Sequence, residues 1–248
     1  MKKIILLIVG MACLNVNAAK ENFDDFISPV SNPIHFESPF HTTEARLIHL
    51  RQRLHSEVSS TTGLGDLKLG GYLSVTALQL RYAVTDRFSI IATKDGYARL
   101  SYDNTIENED GFADLAIGVK WSPYLDYAAQ SILTIGLRVE VPTGSRNVFQ
   151  GRHRGIVNPF ISYAKGFGDL HFIAYQGFQV PLSNRTSSTQ SHTSLHLDYK
   201  IGGFYPLVEF NWRHIISSGD QSPYEIDLRQ GVVGGINLDV DVLQNQLD

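Results

Sequence analysis

The chain has 248 residues, 43% of them hydrophobic and 19% charged, with a net charge of −4 and a mean hydropathy of −0.09. That balance excludes collagen-like and disordered chains. A spanning helix is excluded too, since the longest apolar run, Ile4 to Leu14, has 11 residues against the ~18 required; a β-barrel escapes this test because its strands are short and alternating.

Met1-Lys2-Lys3 is a basic start, Ile4 to Leu14 an apolar core, and Val16-Asn17-Ala18 a small-x-small cleavage pattern, the three-part layout of a secretory signal. Residues 1–19 are read as that signal; the alternative, a buried N-terminal strand, gives the two lysines no role. Cleavage takes the net charge from −4 to −6 by removing Lys2 and Lys3, which argues against nucleic acid as a partner. The single cysteine, Cys13, lies in the leader, so the mature chain has no disulfide and no cysteine metal site. Acylation of Cys13 needs a leucine-like residue three positions earlier, where Gly10 stands. Residues 20–42, rich in Pro and aromatics, are a periplasmic extension or an inserted plug, with a poorly packed tail as the default.

From Gly71 onward the signal is period-two alternation. Leu115, Ile117, Val119 and Trp121 alternate with Asp114, Ala116, Gly118 and Lys120; Leu133 to Val141 and Leu195 to Ile201 repeat the pattern, and Val208, Phe210 and Trp212 alternate with Glu209, Asn211 and Arg213. Strands are predicted at about 43–56, 71–84, 88–100, 112–122, 130–142, 156–165, 170–181, 192–201, 204–215 and 226–240. Alternation alone fits a soluble sandwich as well as a barrel. The connections discriminate: Thr85-Asp86-Arg87, the stretch around Pro123 to Ala129, Gly166-Phe167-Gly168 and Gly202-Gly203 are short, while 57–70, 101–111, 143–155, 182–191 and 216–225 are long. Tight periplasmic turns and longer external loops give that rhythm in an all-β, up-and-down antiparallel transmembrane β-barrel over 43–248. Aromatics flanking the short turns, such as Trp121, Tyr124 and Tyr127, suit an interfacial girdle or ordinary strand preference.

The runs Ala77 to Tyr97, Gly111 to Trp121 and His196 to Trp212, with the opening Ser28 to Phe40, resemble a group of poorly characterised bacterial outer-membrane β-barrels. That group is similar in style to the transporter-like barrels named for the meta-pathway of phenol degradation. The resemblance implies an outer-membrane location, assembly by the barrel-assembly machinery, and uptake of small apolar or aromatic compounds. It supplies no catalytic residue. Such barrels usually finish on an aromatic-ended strand, whereas this chain reads Val242 to Asp248 with no aromatic after Tyr224. About ten strands are expected here, twelve in a complete protein; truncation, missing last strands and an unusual ten-strand closure all stay open.

The face opposite the apolar residues collects Lys120, Arg138, Glu140, His196, Asp198, Lys200, Glu209, Asn211, Arg213, Asp227 and Arg229. Cross-strand ion pairs are expected, forming either a salt-bridged, hydrated filling of a narrow lumen or a lining that guides a small-molecule solute. His192 and His196, four apart, sit about 13 Å from each other on a strand and cannot share an ion. The basic loop Arg146 to Arg154 faces lipopolysaccharide phosphates or plain solvent, and the acidic loop Asp103 to Asp110 lacks calcium-loop spacing. No GxSxG elbow or singled-out carboxylate pair occurs, so neither an enzyme nor a cofactor is expected. The functional expectation is a transporter-like outer-membrane barrel; the alternatives are a structural or surface-interaction barrel with a closed lumen, and a soluble periplasmic ligand-binding barrel.

Overall fold

A computed structural model describes residues 23–54, 70–103, 108–148, 150, 154–183 and 187–218, together with the backbone of short paired segments at 7–8, 12–15, 57–59 and 66–68. The predicted strand at 226–240, with Asp227 and Arg229, lies outside the described residues.

The structure is all-β. Its main element is one antiparallel sheet curled into a half-barrel, the form expected of an up-and-down barrel. In chain order the long strands are β1 (Glu44–Arg53), β2 (Tyr72–Ala83), β3 (Phe88–Lys94 resuming as Gly96–Ser101), β4 (Glu109–Phe112 resuming as Leu115–Asp126), β5 (Ser131–Val141), β6 (Ile156–Phe167), β7 (Leu170–Pro181), β8 (Thr189–Tyr199) and β9 (Leu207–Ser217). Each pairs with its neighbour in sequence. Leu7–Ile8 and Ala12–Asn15 pair along the other edge of β1.

Local chemistry explains where the turns fall. Gly168 and Gly202 take φ of 66° and 61° in the tight β7 and β9 hairpin turns, a conformation that only glycine adopts cheaply. Pro123 does not end its strand as the sequence suggested. A register shift between Trp121 and Tyr124 absorbs it, because a bulge accommodates a residue that cannot donate to the ladder; β4 then runs on to Asp126. The β3 strand breaks at Asp95 and β4 at Ala113–Asp114, where Ala113 N donates to Gly96 O and Asp114 Oδ1 accepts from Gly144 N.

The pleat sorts side chains by face. Ile117, Val119 and Trp121 of β4 stand opposite Val139, Leu137 and Ile135 of β5, all exposed on the convex side. Leu195, Leu197 and Tyr199 of β8 and Val208, Phe210 and Trp212 of β9 continue this band, Phe210 being 56% exposed. On the concave side Arg81, Lys120, Thr134, Arg138, His171, His196 and Asp198 are buried.

They are buried because residues 23–43 lie against them rather than trailing away as a loose tail. Phe26, Phe36 and Phe40 of this inner segment form a core with Ile91, Ile132, Phe160, Ala164, Ile173 and Tyr175 from the wall. Gly136 makes room for Phe160: a Cβ there would lie 2.2 Å from the ring. Replacing Gly136 by Leu should therefore cost about 1–3 kcal/mol by overpacking, read as a lower denaturant midpoint, whereas Gly203→Ala, with nothing within 4 Å, should leave the midpoint unchanged.

Candidate functional site

The inner segment makes few hydrogen bonds to itself, among them Phe26 N to Phe23 O and Phe36 N to Asn32 O. Irregular backbone in a buried place needs partners elsewhere, and wall side chains supply them. Arg46 reaches Pro29 O, Gln79 reaches Pro33 O, Arg138 reaches Ile34 O, Lys120 reaches Ser38 O and Thr134 reaches Pro39 O. At the β9 edge Glu209 accepts from Val30 N at 2.9 Å, Ser31 N at 2.7 Å and the Ser31 hydroxyl.

Glu37 is the charged centre. Arg81 Nε and Nη2 donate to its two oxygens at 2.9 and 2.7 Å, and Lys120 Nζ donates at 2.8 Å. Arg81 also pairs with Glu44 at 3.0 Å, and Glu44 with Arg46 at 3.3 Å. The result is an alternating chain, Arg46–Glu44–Arg81–Glu37–Lys120, in which both Glu37 and Lys120 are 1% exposed. One turn along, His41 lies between Ser89 Oγ (2.7 Å) and Ser122 Oγ (2.6 Å), and Ser122 meets Thr134.

A second network lies on β7, β8 and β9. His171 Nδ1 is 2.7 Å from Asp198 Oδ1, Asp198 Oδ2 is 3.0 Å from His196 Nε2, and His196 Nδ1 is 2.7 Å from Glu209 Oε1. His196 thus bridges the two carboxylates, one at each ring nitrogen. Phe26 of the inner segment stacks on His171, with centroids 4.3 Å apart. His35 stacks on His192 at 4.0 Å and 7°.

The predicted site residues thus fall in distinct places. Lys120, Arg138, Glu140, His196, Asp198 and Glu209 all face inward; Glu140 pairs with Lys94 at 2.8 Å, a bond between β5 and β3 that reaches across β4. Asn211 donates to Ser31 Oγ and accepts from Ser194 Oγ, Arg213 is half-buried on the same face, and Lys200 lies at the β8–β9 turn, bonded to Asp25. The expectation of pairing across the wall holds only in part. Lys120 bonds only to the inner segment, through Glu37 and Ser38 O, while Arg138 and Asn211 divide their bonds between that segment and wall residues Thr93, Tyr175 and Ser194. Arg81, Gln79, Ser89, Ser122 and Glu37 were missed, although Gln79 and Arg81 alternate legibly with Leu78, Leu80 and Tyr82. The two histidines four apart go to different partners, as their spacing requires. Among the described residues no group of three or more His, Cys, Asp or Glu side chains is arranged to hold a metal ion. In the acidic loop Asp110 accepts from the Tyr97 hydroxyl.

Titration of the inner segment favours one direction. His35 is held well below the usual imidazole range by burial, then by His192 and Arg138; His41 is pushed down to about 3 by burial and then by Lys120. Burial alone would raise Glu37, but Arg81 and Lys120 outweigh it and hold the carboxyl well below its usual range. The free segment therefore takes up protons that the docked segment refuses. Docking is strongest above about pH 6.5, weakens as pH falls through the histidine range, and weakens again below about pH 4.5 as Glu37 gains its proton. A spin label at Ser28→Cys should gain mobility between about pH 7 and about pH 4, and mobility independent of pH would contradict this. Glu37→Gln strands Lys120 and leaves Arg81 with Glu44 alone, at a cost of about 3–5 kcal/mol, and should expose the segment around residues 23–43 to protease at neutral pH.

No protein-family model, no curated protein and no solved structure matches this chain.

Proposed function

We propose that the chain is an outer-membrane β-barrel, exported by its N-terminal leader, whose lumen is stoppered by residues 23–43 and which passes a small apolar or aromatic solute when that segment shifts. The observation that carries this reading is the inverted polarity of the wall. Convex Ile117, Val119, Ile135, Leu137 and Val139 are exposed, while Lys120, His196 and Asp198 on the concave side are buried. A soluble protein gains stability by the opposite arrangement; a barrel in lipid requires this one. The same inversion disfavours a soluble ligand-binding barrel. Leader removal would also bare the edge of β1 that Leu7–Ile8 and Ala12–Asn15 occupy, leaving it open to a closing strand.

Passage is supported by the nature of the stopper. It is held by side-chain contacts, polar ones and the Phe26, Phe36 and Phe40 core, rather than by strand pairing, so it can leave without breaking the sheet. The filled lumen equally favours the second reading, a structural barrel that never opens, and a narrow barrel of about ten strands has no room for an open pore beside the segment.

Two measurements separate these readings. Ile135→Arg and Val139→Arg place a charge on the convex band and should each cost about 2–4 kcal/mol of assembly in lipid, seen as loss of the folded, membrane-inserted form; normal insertion of both would contradict a lipid-facing wall. Reconstituted vesicles should then take up a small aromatic such as toluene faster with Glu37→Gln than with the unaltered protein. Uptake by both no faster than by protein-free vesicles, with both correctly inserted, would leave the closed structural barrel.

A further inference from the structure

The convex face changes character at one end of β1 to β4, the end that carries the long connections. Leu47 of β1 stands opposite Leu78 of β2 within the apolar band. The next outward row is His49, Thr76, Tyr97 and Phe112, one residue from each strand, with Tyr97 and Phe112 in edge contact at 5.2 Å. Beyond it come Arg51, Ser74, Arg99 and Asp110, and then Arg53, Tyr72 and Ser101. The buried inward residues at this level are apolar: Leu73, Ala98, Leu100 and Val148 form a cluster, with half-buried Gln52 and Glu109 beside it. The wall therefore reverts to the polarity of a soluble protein within two rows. An aromatic row beside a basic row marks a membrane interface, and on the proposed topology it is the outer one.

We propose that Arg51, Arg53 and Arg99 form a docking surface for the phosphates of a phosphorylated glycolipid headgroup in the outer leaflet, a reading that rests on the outer-membrane location proposed above. All three arginines are exposed, and among the described residues none makes a salt bridge; Arg51 lies over the Tyr72 ring at 4.2 Å, which leaves its N–H groups free at the edge. The sole carboxylate in these rows, Asp110, stands opposite Arg99 and accepts from the Tyr97 hydroxyl, with no salt bridge to Arg99. Arg51 and Arg99 flank Ser74 and lie two strand spacings, about 10 Å, apart, while Arg51 and Arg53 lie about 7 Å apart along β1. That footprint offers a guanidinium pair, Arg51 and Arg53, and a separate one, Arg99, with the Ser74 hydroxyl between Arg51 and Arg99, suited to a headgroup bearing two phosphates. Guanidinium groups bind phosphate bidentately, and each also gains from an anionic leaflet.

The test uses the full mature protein in nanodiscs of phosphatidylcholine doped with bisphosphoryl lipid A or with its dephosphorylated form. Insertion is checked first by protease protection, and retained lipid is counted by native mass spectrometry. The unaltered protein should retain the bisphosphoryl form over the dephosphorylated one by more than about tenfold, and inorganic phosphate should not displace it. The triple variant Arg51→Gln, Arg53→Gln, Arg99→Gln should insert normally and lose the preference, while the triple Lys variant should keep part of it. Equal retention of both lipids by inserted protein would overturn the docking surface and leave the barrel standing. Failure of the unaltered protein to insert into any disc would overturn both.

Discussion

A wall that is apolar outside and charged inside cannot leave its charges unpaired, and that constraint organises the rest of this molecule. Ion pairing in a low-dielectric place must be close and fully hydrogen-bonded to offset desolvation. The concave face carries cations, Arg46, Arg81, Lys120 and Arg138, that outnumber the carboxylates near them. The inner segment supplies the missing anion, Glu37, and a row of backbone carbonyls. Residues 23–43 are thus as much a part of the wall's electrostatics as of its packing.

The arrangement also sets what can move. The strands are held to one another by backbone ladders, whereas the inner segment is held by side chains: the Phe26, Phe36 and Phe40 core, Glu37 at the centre, Glu209 at the β9 edge, and His41 at the end near the β3 and β4 turns. The contacts of Glu37 and His41 depend on protonation state, and both favour the docked form at neutral pH. The most separable part of the structure is therefore the part that fills the lumen. A gate needs that property, and a permanently closed barrel does not.

Much of the fold was legible in the sequence, for a physical reason. A strand with an apolar face on one side and polar groups on the other has period-two alternation with nothing to blur it, so Ile117 to Trp121, Leu133 to Val141 and Leu195 to Tyr199 showed strands, faces and turns together. Pro123 misled because a bulge hides its missing donor. The site was half legible. Alternation identifies inward residues such as Lys120, Arg138 and His196, but it cannot say what they face. Glu37 and His41 sit in an aperiodic, proline-rich stretch, Asn32 to Thr43, where no pattern assigns a side. The signal that would have found it is chemical: one acid among Phe36, Pro39 and Phe40 is costly to bury alone, so burial there requires a cationic partner.

The chain's two tryptophans, Trp121 and Trp212, both lie on the convex face, 49% and 57% exposed, at opposite parts of the curled sheet. Their fluorescence in vesicles containing bromine-labelled lipid tests the lipid-facing wall directly and without substitution. Strong quenching of both, varying with the position of bromine along the acyl chain, is the expected result. Fluorescence indifferent to bromine in protein that is folded and bound to the vesicles would contradict a wall that meets lipid.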